Sequence, residues 1–517
     1  MMADGAQGHR FHPSILREYD IRGVVGQTLF VEDARAIGRC FATILRAAVS
    51  LAGISGAGIS GAGVVQPNTR ASGISQSGAG LQAAQRPCVA VGYDGRLSSR
   101  QLEAALVAGL TECGVDVVRI GLGPTPMLYY AEASAKDVQG GIQITGSHNP
   151  ADHNGFKIVM GGLPFFGVAI KNLGRLAGEG GWLKGGEIGR GGICEDRELL
   201  GPYIDRLTAG LDGLTGEARE RLATMRIGWD AGNGAAGPAI EALTKRLPGE
   251  HHLLFTEVDG HFPNHHPDPT VEANLADLQA LVAARRLDFG VAFDGDGDRI
   301  GAIDAKGRIL SGDQLLMLFA QDLLIDVPGA KIVADIKASQ ALFDHVAALG
   351  GQPVMWKSGH SQIKAKMKEI GAAMGGEVSG HVFFAHKYYG FDDALYGAVR
   401  LMAALARDGR SLAQWRDAMP VMVNTPELRF AVDETRKFAV VDEVKARLMA
   451  EGADMCDIDG VRVARADGWW LLRASNTQDV LVARAEAADA AGLARLMAQV
   501  DSQLAASGLS RGDPVGH

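Results

Sequence analysis

Three aspartates stand two residues apart in Asp294-Gly295-Asp296-Gly297-Asp298-Arg299, directly after the apolar run 287–293. If that run is a buried strand that continues a little further, its two-residue period aims Asp294, Asp296 and Asp298 the same way. Carboxylates so close repel one another unless a cation sits among them, and hard oxygen donors suit Mg²⁺, Mn²⁺ or Ca²⁺. The intervening glycines leave the backbone free to bend around an ion. An EF-hand is a poor match, because Arg299 stands where that loop needs Gly and Ala305 where it needs Glu. A solvated acidic turn is the plain alternative. The strand-then-loop setting favours a metal site.

Other loops carry chemistry of a different kind. Thr145-Gly146-Ser147-His148-Asn149-Pro150 follows the strand-like segment 141–144, and α/β sheets place ligands at the carboxyl ends of parallel strands. Ser147 could act as a nucleophile, with His148 beside it and Lys157 just beyond. Turn chemistry alone also explains Ser, Asn and Pro here, and the G-x-S-x-G elbow of a serine hydrolase is absent. Gly376-Glu377-Val378-Ser379-Gly380-His381 offers a carboxylate, a hydroxyl and an imidazole between glycines. Arg473-Ala474-Ser475-Asn476-Thr477 offers a guanidinium, two hydroxyls and an amide, which together can ring a phosphate. Either loop alone could be a polar turn. Gly232-Asn233-Gly234-Ala235-Ala236-Gly237, with Glu257 after the next apolar run, matches a dinucleotide-binding fingerprint. No hydride-transfer partner accompanies it, so a tight strand-to-helix turn is the simpler reading. His261, His265 and His266 with Asp259 and Asp268 could bind zinc, but their spacing fits a polar loop better.

The elements that must hold these loops alternate along the chain. Strands are expected at 88–92, 115–120, 141–144, 225–229, 253–258, 290–293, 331–334 and 353–355. Helices are expected at 31–48, 100–113, 275–285, 314–324, 338–349 and 362–370. Such alternation predicts α/β domains with substantially parallel sheets. After Pro420 the order becomes strand 427–431, helix 438–451, strands 460–464, 469–473 and 480–485, then a helix from 489, an α+β module. At 517 residues the chain is too long for one core and should divide into several domains. The expected division is 1–190, 191–305, 306–420 and 421–517. Residues 50–86, rich in Gly, Ser and Ala, read as a disordered surface insertion, and 178–192 as a linker. A net charge of −9 argues against a nucleic-acid surface. No stretch reaches the length of a membrane helix, and no signal-peptide pattern opens the chain. The five cysteines have no paired spacing, so they read as reduced thiols in a cytoplasmic protein.

Taken together the loops resemble the α-D-phosphohexomutase superfamily, most closely its phosphomannomutase/phosphoglucomutase branch. The resemblance rests on Arg17-Glu18-Tyr19-Asp20-Ile21-Arg22-Gly23, on 145–150, on 294–299, on Lys357-Ser358-Gly359-His360-Ser361, on 377–381 and on 473–477. It implies three similar mixed-sheet α/β domains and a C-terminal α+β domain around a central cleft. It implies that Ser147 carries a phosphoryl group and that Asp294, Asp296 and Asp298 hold one Mg²⁺, completed by an oxygen on Ser147. Arg299 adds positive charge there. Lys157, His360 and His381 are the implied acids and bases, and His148 orients the serine loop. Tyr19, Arg22, Lys337 and His360 line the cleft. Glu377, Val378, Ser379, Gly380 and His381 grip the sugar, and Arg473, Ala474, Ser475, Asn476 and Thr477 hold the phosphate.

The implied reaction interconverts hexose 1- and 6-phosphates, of mannose or glucose, through a hexose 1,6-bisphosphate. The expected partners are small sugar phosphates, with neither nucleic acid nor membrane, and a monomer suffices. Three departures bear on this. Gly92-Tyr93-Asp94-Gly95-Arg96 has Tyr and Gly where relatives often carry Arg and Thr, which lowers its expected functional weight. Val378 replaces a common Met. Thr-Gly before Ser147, in place of Ser-Ala, leans away from phosphoglucosamine mutase, the alternative within the class; an NAD-dependent oxidoreductase built on 232–237 is the alternative outside it.

Overall fold

The computed structural model describes residues 8–55, 86–184, 188–475 and 479–511. Among them the strands form four sheets of seven, five, four and six strands. The first runs Ile21–Val24, His153–Met160, Gly140–Ile144, Cys88–Tyr93, Asp116–Leu122, Cys194–Asp196, with Leu163–Pro164 beside His153–Met160. The second runs Ile309–Leu310, Ile300–Asp304, Phe289–Phe293, Arg226–Asp230, Glu250–Leu254, and the third Gln352–Trp356, Lys331–Asp335, Met374–Gly376, Val382–Phe384. The three share one plan. A parallel core ends in a strand that turns back antiparallel: Gly140–Ile144 into His153–Met160, Phe289–Phe293 into Ile300–Asp304, Met374–Gly376 into Val382–Phe384. The serine, carboxylate and 377–381 loops are those three turns. All three therefore leave the carboxyl end of a parallel strand, where backbone groups are free to meet ligands.

The central strand Phe289–Phe293 is apolar and buried at every position, as expected where helices cover both faces of a sheet. The first sheet packs around Ile142, Phe156 and Phe41, while one larger core joins the second and third sheets through helix Ala394–Asp408, buried along 13 successive residues. The fourth sheet is antiparallel, Val423–Asn424, Val480–Ala487, Gly468–Ala474, Val461–Arg465, Met455–Cys456, with Leu428–Ala431 beside Val480–Ala487. Its core is closed by helices Glu434–Ala450 and Ala490–Ala506. Trp469 and Leu471 pack on Ile336 of the third unit.

Several boundaries differ from expectation. The first helix runs Val31–Ser55, into the start of the expected insertion, whose residues 56–85 lie outside the described residues. The strand expected at 253–258 is Glu250–Leu254, because Phe255 adopts φ 51° and turns the chain back, its carbonyl accepting from Asn233 N at 2.9 Å. Cys194–Asp196 extends the first sheet from beyond residue 190. Among the described residues no helix is long and apolar enough to cross a membrane.

Candidate active site

Ser147 sits at the tip of the first turn, buried, with φ 50°. A left-handed serine persists only where its surroundings fix it, and here Arg96 does so. Its guanidinium donates to the carbonyls of Ser147 (2.7 Å), His153 (2.9 Å), Asn149 and Pro150, and its Nε donates to Asp94 Oδ2 at 3.2 Å. All five donors of the guanidinium are thereby used. Gly146 is where Arg96 crosses the loop; a Cβ there would lie 2.5 Å from the guanidinium carbon. Asp94 also accepts from Gly146 N and from Ser99 Oγ. The segment 92–96, given little weight in the sequence, is thus the brace of the serine loop. The available signal was its position: like the other loops, it follows a parallel strand.

From this brace Ser147 Oγ donates to Asp294 Oδ2 at 2.9 Å, and His148 Nδ1 lies 3.2 Å from the same Oγ. The three aspartates do converge, but not as a continued strand. The strand ends at Phe293, Gly297 turns at φ 73°, and Asp294 Oδ1 accepts the backbone N–H of Asp298 and Arg299, both at 3.1 Å. One oxygen from each of Asp294, Asp296 and Asp298 lies within 4.8 Å of the others, and all three residues are fully buried. Burial, with Asp296 and Asp298 alongside, pushes the Asp294 carboxyl well above its ordinary range. Asp298 is equally buried, yet Lys157 and His381 pull it well below. Lys157 Nζ bridges Asp296 (2.8 Å) and Asp298, and Thr125 Oγ1 donates to Asp296. Asp296 Oδ1 remains buried without a hydrogen-bond partner, and Asp298 Oδ1 faces only His381 Nε2 at 3.3 Å. Such oxygens are costly unless something positive meets them. An all-oxygen donor set with unmet lone pairs fits a hard divalent cation.

The 377–381 turn locks onto the carboxylate loop through backbone: Arg299 and His381 form an antiparallel bridge, and Ile300 N donates to Gly380 O at 3.0 Å. His381 lies between acids, its Nε2 3.3 Å from Asp298 Oδ1 and its Nδ1 3.0 Å from Glu377 Oε2. Burial opposes its charge, but these two carboxylates prevail and raise it to about 9. His360 stacks on it with ring centroids 5.4 Å apart, and burial together with Lys364 lowers the pKa of His360. The pair thus combines a charged and a neutral imidazole. Lys157 differs from a free base: burial opposes its charge, but the three aspartates raise its pKa, so it stays a cation. Arg299 Nε lies 3.4 Å from His381 Nε2.

Around this centre, Arg22 donates to Asn149 of the serine loop and to Asp20. Tyr19 OH donates to Ser358 O at 3.0 Å, and its ring fills the space that Gly359 leaves open at φ 119°. Glu377 Oε1 accepts from Gly359 N at 2.7 Å. Val378 N donates to Asp335 Oδ1 at 3.3 Å, and Ser379 Oγ lies 3.2 Å from His381 Nδ1. Lys337 pairs with Glu427 at 3.2 Å. From the fourth unit, Arg473 pairs with Asp459 at 3.1 Å, and Asp459 accepts from Ser358 N at 3.0 Å. Ala474 and Ser475 are buried beside Arg473; Asn476 and Thr477 lie outside the described residues. A cavity of about 420 Å³ opens between the first and third units, with Tyr19, Lys157 and His360 on its wall.

Neither competing motif assembles. The 232–237 turn faces the carboxylate loop: Ala235 N donates to Gly295 O at 2.9 Å, and a Cβ on Gly234 would lie 2.8 Å from the same oxygen. His265 pairs with Asp230 at 3.0 Å and His266 reaches His148 O. Among the described residues two clusters have metal-ligand spacing, and neither contains His261, His265, His266, Asp259 or Asp268.

Comparison with known proteins accords with this architecture. Residues 52–174, 201–307 and 311–422 match the domain families described as phosphoglucomutase/phosphomannomutase, alpha/beta/alpha domains I, II and III. Residues 427–503 match the corresponding C-terminal domain. The chain is 40% identical to a phosphomannomutase/phosphoglucomutase of Pseudomonas aeruginosa, over 95% of this chain and 96% of that one. It is 38% identical to a phosphoglucomutase of Neisseria gonorrhoeae, over 93% and 95%. A crystal structure of a phosphoglucomutase/phosphomannomutase family protein from Burkholderia thailandensis superposes with TM-score 0.82 at 38% identity, covering 98% of this chain and 99% of that one.

Proposed function

Because this chain belongs to the phosphoglucomutase/phosphomannomutase family, we propose that it interconverts hexose 1-phosphates and 6-phosphates by way of a phosphoryl group carried on Ser147. The observation that carries this reading is Ser147 Oγ, 2.9 Å from Asp294 at the edge of a buried carboxylate trio with unmet oxygens. Asp294, Asp296 and Asp298, with an oxygen on Ser147, would hold Mg²⁺. Bound there, the ion supplies positive charge against the transferring phosphoryl group, in a reaction where positioning and electrostatics do most of the catalysis.

The protein's own groups account for the rest. Arg96 fixes the serine. In the forward transfer the Ser147 Oγ–P bond breaks and a bond from phosphorus to a sugar hydroxyl oxygen forms, giving a hexose 1,6-bisphosphate. The hydroxyl proton passes to neutral His360, while charged His381, Lys157 and Arg299 face the developing negative charge. The bisphosphate then turns over, and its other phosphate returns to Ser147. Glu377 and Ser379 hold sugar hydroxyls; Arg473 with 474–477 receives the phosphate that does not react, and Tyr19, Arg22 and Lys337 line the cleft between. We set the unit boundaries where the sheets end, the first reaching past 190 to Asp196 and the second past 305 to Leu310, with the third running to about 420 and the fourth after it. One chain supplies every group, so a monomer suffices, and the cytoplasm is the proposed compartment.

Intact-mass measurement after treatment with glucose 1,6-bisphosphate tests the proposal. The wild type should gain one phosphate and Ser147→Ala none. No gain in the wild type, or the same gain in both proteins, overturns it. Assays with mannose 1-phosphate, glucose 1-phosphate and glucosamine 6-phosphate then set the substrate, the last being expected to react poorly.

A further inference from the structure

Beside the aspartate trio lies a second cluster, in which one donor atom from each of Asp298, His381 and Asp392 falls within 4.8 Å of the others. Each carboxylate gives one oxygen to a lysine: Lys157 takes Asp298 Oδ2, and Lys364 Nζ takes Asp392 Oδ1 at 2.7 Å. The other oxygens face only imidazole nitrogens. Asp392 Oδ2 is buried without a hydrogen-bond partner, as are Asp298 Oδ1 and His360 Nδ1. His360 Nδ1 lies 3.5 Å from Asp392 Oδ2, and His381 Nε2 lies 3.3 Å from Asp298 Oδ1. The other ring nitrogen of His381 faces Glu377 at 3.0 Å. That carboxylate orients the ring, and a metal reaching Nε2 would take the place of the proton His381 otherwise holds there.

Two carboxylates and two imidazoles are not the ligands of Mg²⁺; nitrogen donors select a transition cation. We infer that Asp298, His381, Asp392 and His360 form a second metal site, for a cation of the Zn²⁺ class. Arg299 Nε, 3.4 Å from His381 Nε2, opposes the added charge together with Lys157 and Lys364. The three acids Asp298, Asp392 and Glu377 offset them. The two cations share Asp298, so they compete, and a cation here immobilises both histidines. The site would make the enzyme sensitive to transition metals.

The test measures metal binding rather than activity, so its failure leaves the mutase reading untouched. Zn²⁺ is titrated against a chromophoric chelator with wild type, Asp392→Asn, His360→Gln and Asp294→Asn, each checked for folding by circular dichroism. Loss of a ligand should weaken Zn²⁺ at least about tenfold in the first two variants, with Asp294→Asn within about threefold of wild type. Wild type loaded with Co²⁺ should show the intense visible bands of a tetrahedral nitrogen–oxygen site. The reverse order of affinities, with Asp294→Asn the impaired variant, places the cation in the aspartate trio and overturns the inference. So does a Co²⁺ spectrum of weak octahedral bands.

Discussion

Replacing Arg96 should cripple the enzyme, although no atom of Arg96 need touch substrate. Its side chain is wholly buried and its five donors meet four carbonyls and Asp94. Lysine keeps the charge but offers three donors. At least two acceptors then lose a charged partner, at about 1–3 kcal/mol each, or roughly 2–6 kcal/mol. Methionine keeps the volume and removes every bond, leaving Asp94 buried without its cation, a loss of about 3–5 kcal/mol for the pair alone. The four carbonyls belong to 147–153, so the penalty is relieved by moving the loop that carries Ser147. A displacement near 1 Å lowers turnover about 10²-fold. A coupled assay of glucose 1-phosphate conversion should therefore show kcat down by about that factor in Arg96→Lys with KM little changed, because the groups that bind sugar and phosphate lie on other loops. Urea denaturation of the same variant should show the stability loss. Turnover within about threefold of wild type, in a variant whose urea midpoint has clearly fallen, would refute the claim that this guanidinium sets the serine geometry.

Three further outcomes follow from the geometry. Asp393 caps helix Ala394–Asp408, accepting from Tyr203 OH, Tyr388 OH and Tyr396 N; burial prevails over those bonds and raises its pKa to about 7. Unfolded, it ionises near 4, so the folded state holds the extra proton between about pH 4 and 7; stability is full below that window and falls by roughly 4 kcal/mol as pH rises through it. Asp393→Asn should flatten that slope in urea titrations at several pH values; an unchanged slope refutes the assignment. Mg²⁺ at about 100 times its dissociation constant should stabilise the wild type by about 2.7 kcal/mol, seen as a raised melting temperature. Asp296→Asn should abolish that shift, and EDTA should abolish turnover in the wild type. Gly359→Ala forces a Cβ to 2.7 Å from the Tyr19 ring at φ 119°; strain of about 1–3 kcal/mol should move Tyr19 and His360 and raise KM for hexose phosphate, and an unchanged KM would count against their place in the cleft.

Much of this protein was legible in its sequence. Alternating apolar runs and amphipathic stretches dictated the α/β units, since a strand buried on both faces and a helix buried on one leave different periods. Short loops rich in Gly, Ser, Asp and His marked where the chemistry lies, because their composition is set by backbone needs and ligand type within a few residues. Asp294, Asp296 and Asp298 stood out on those grounds alone as a donor set of the kind a hard cation takes. Tertiary structure decided what the residues do to one another. Ser147 and Asp294 are 147 residues apart, and Lys157, Asp298 and His381 come from three different sheets or the turns between their strands. Arg96 and Asp392 acquire their roles only from carbonyls and lone pairs that folding brings to them. Whether an imidazole is charged, as at His381, or neutral, as at His360, depends on which carboxylates lie within about 3.5 Å and on how much water is excluded. Local order determined the elements and the donor types. Distances across the cleft, which no local pattern encodes, determined their pairing and their charge.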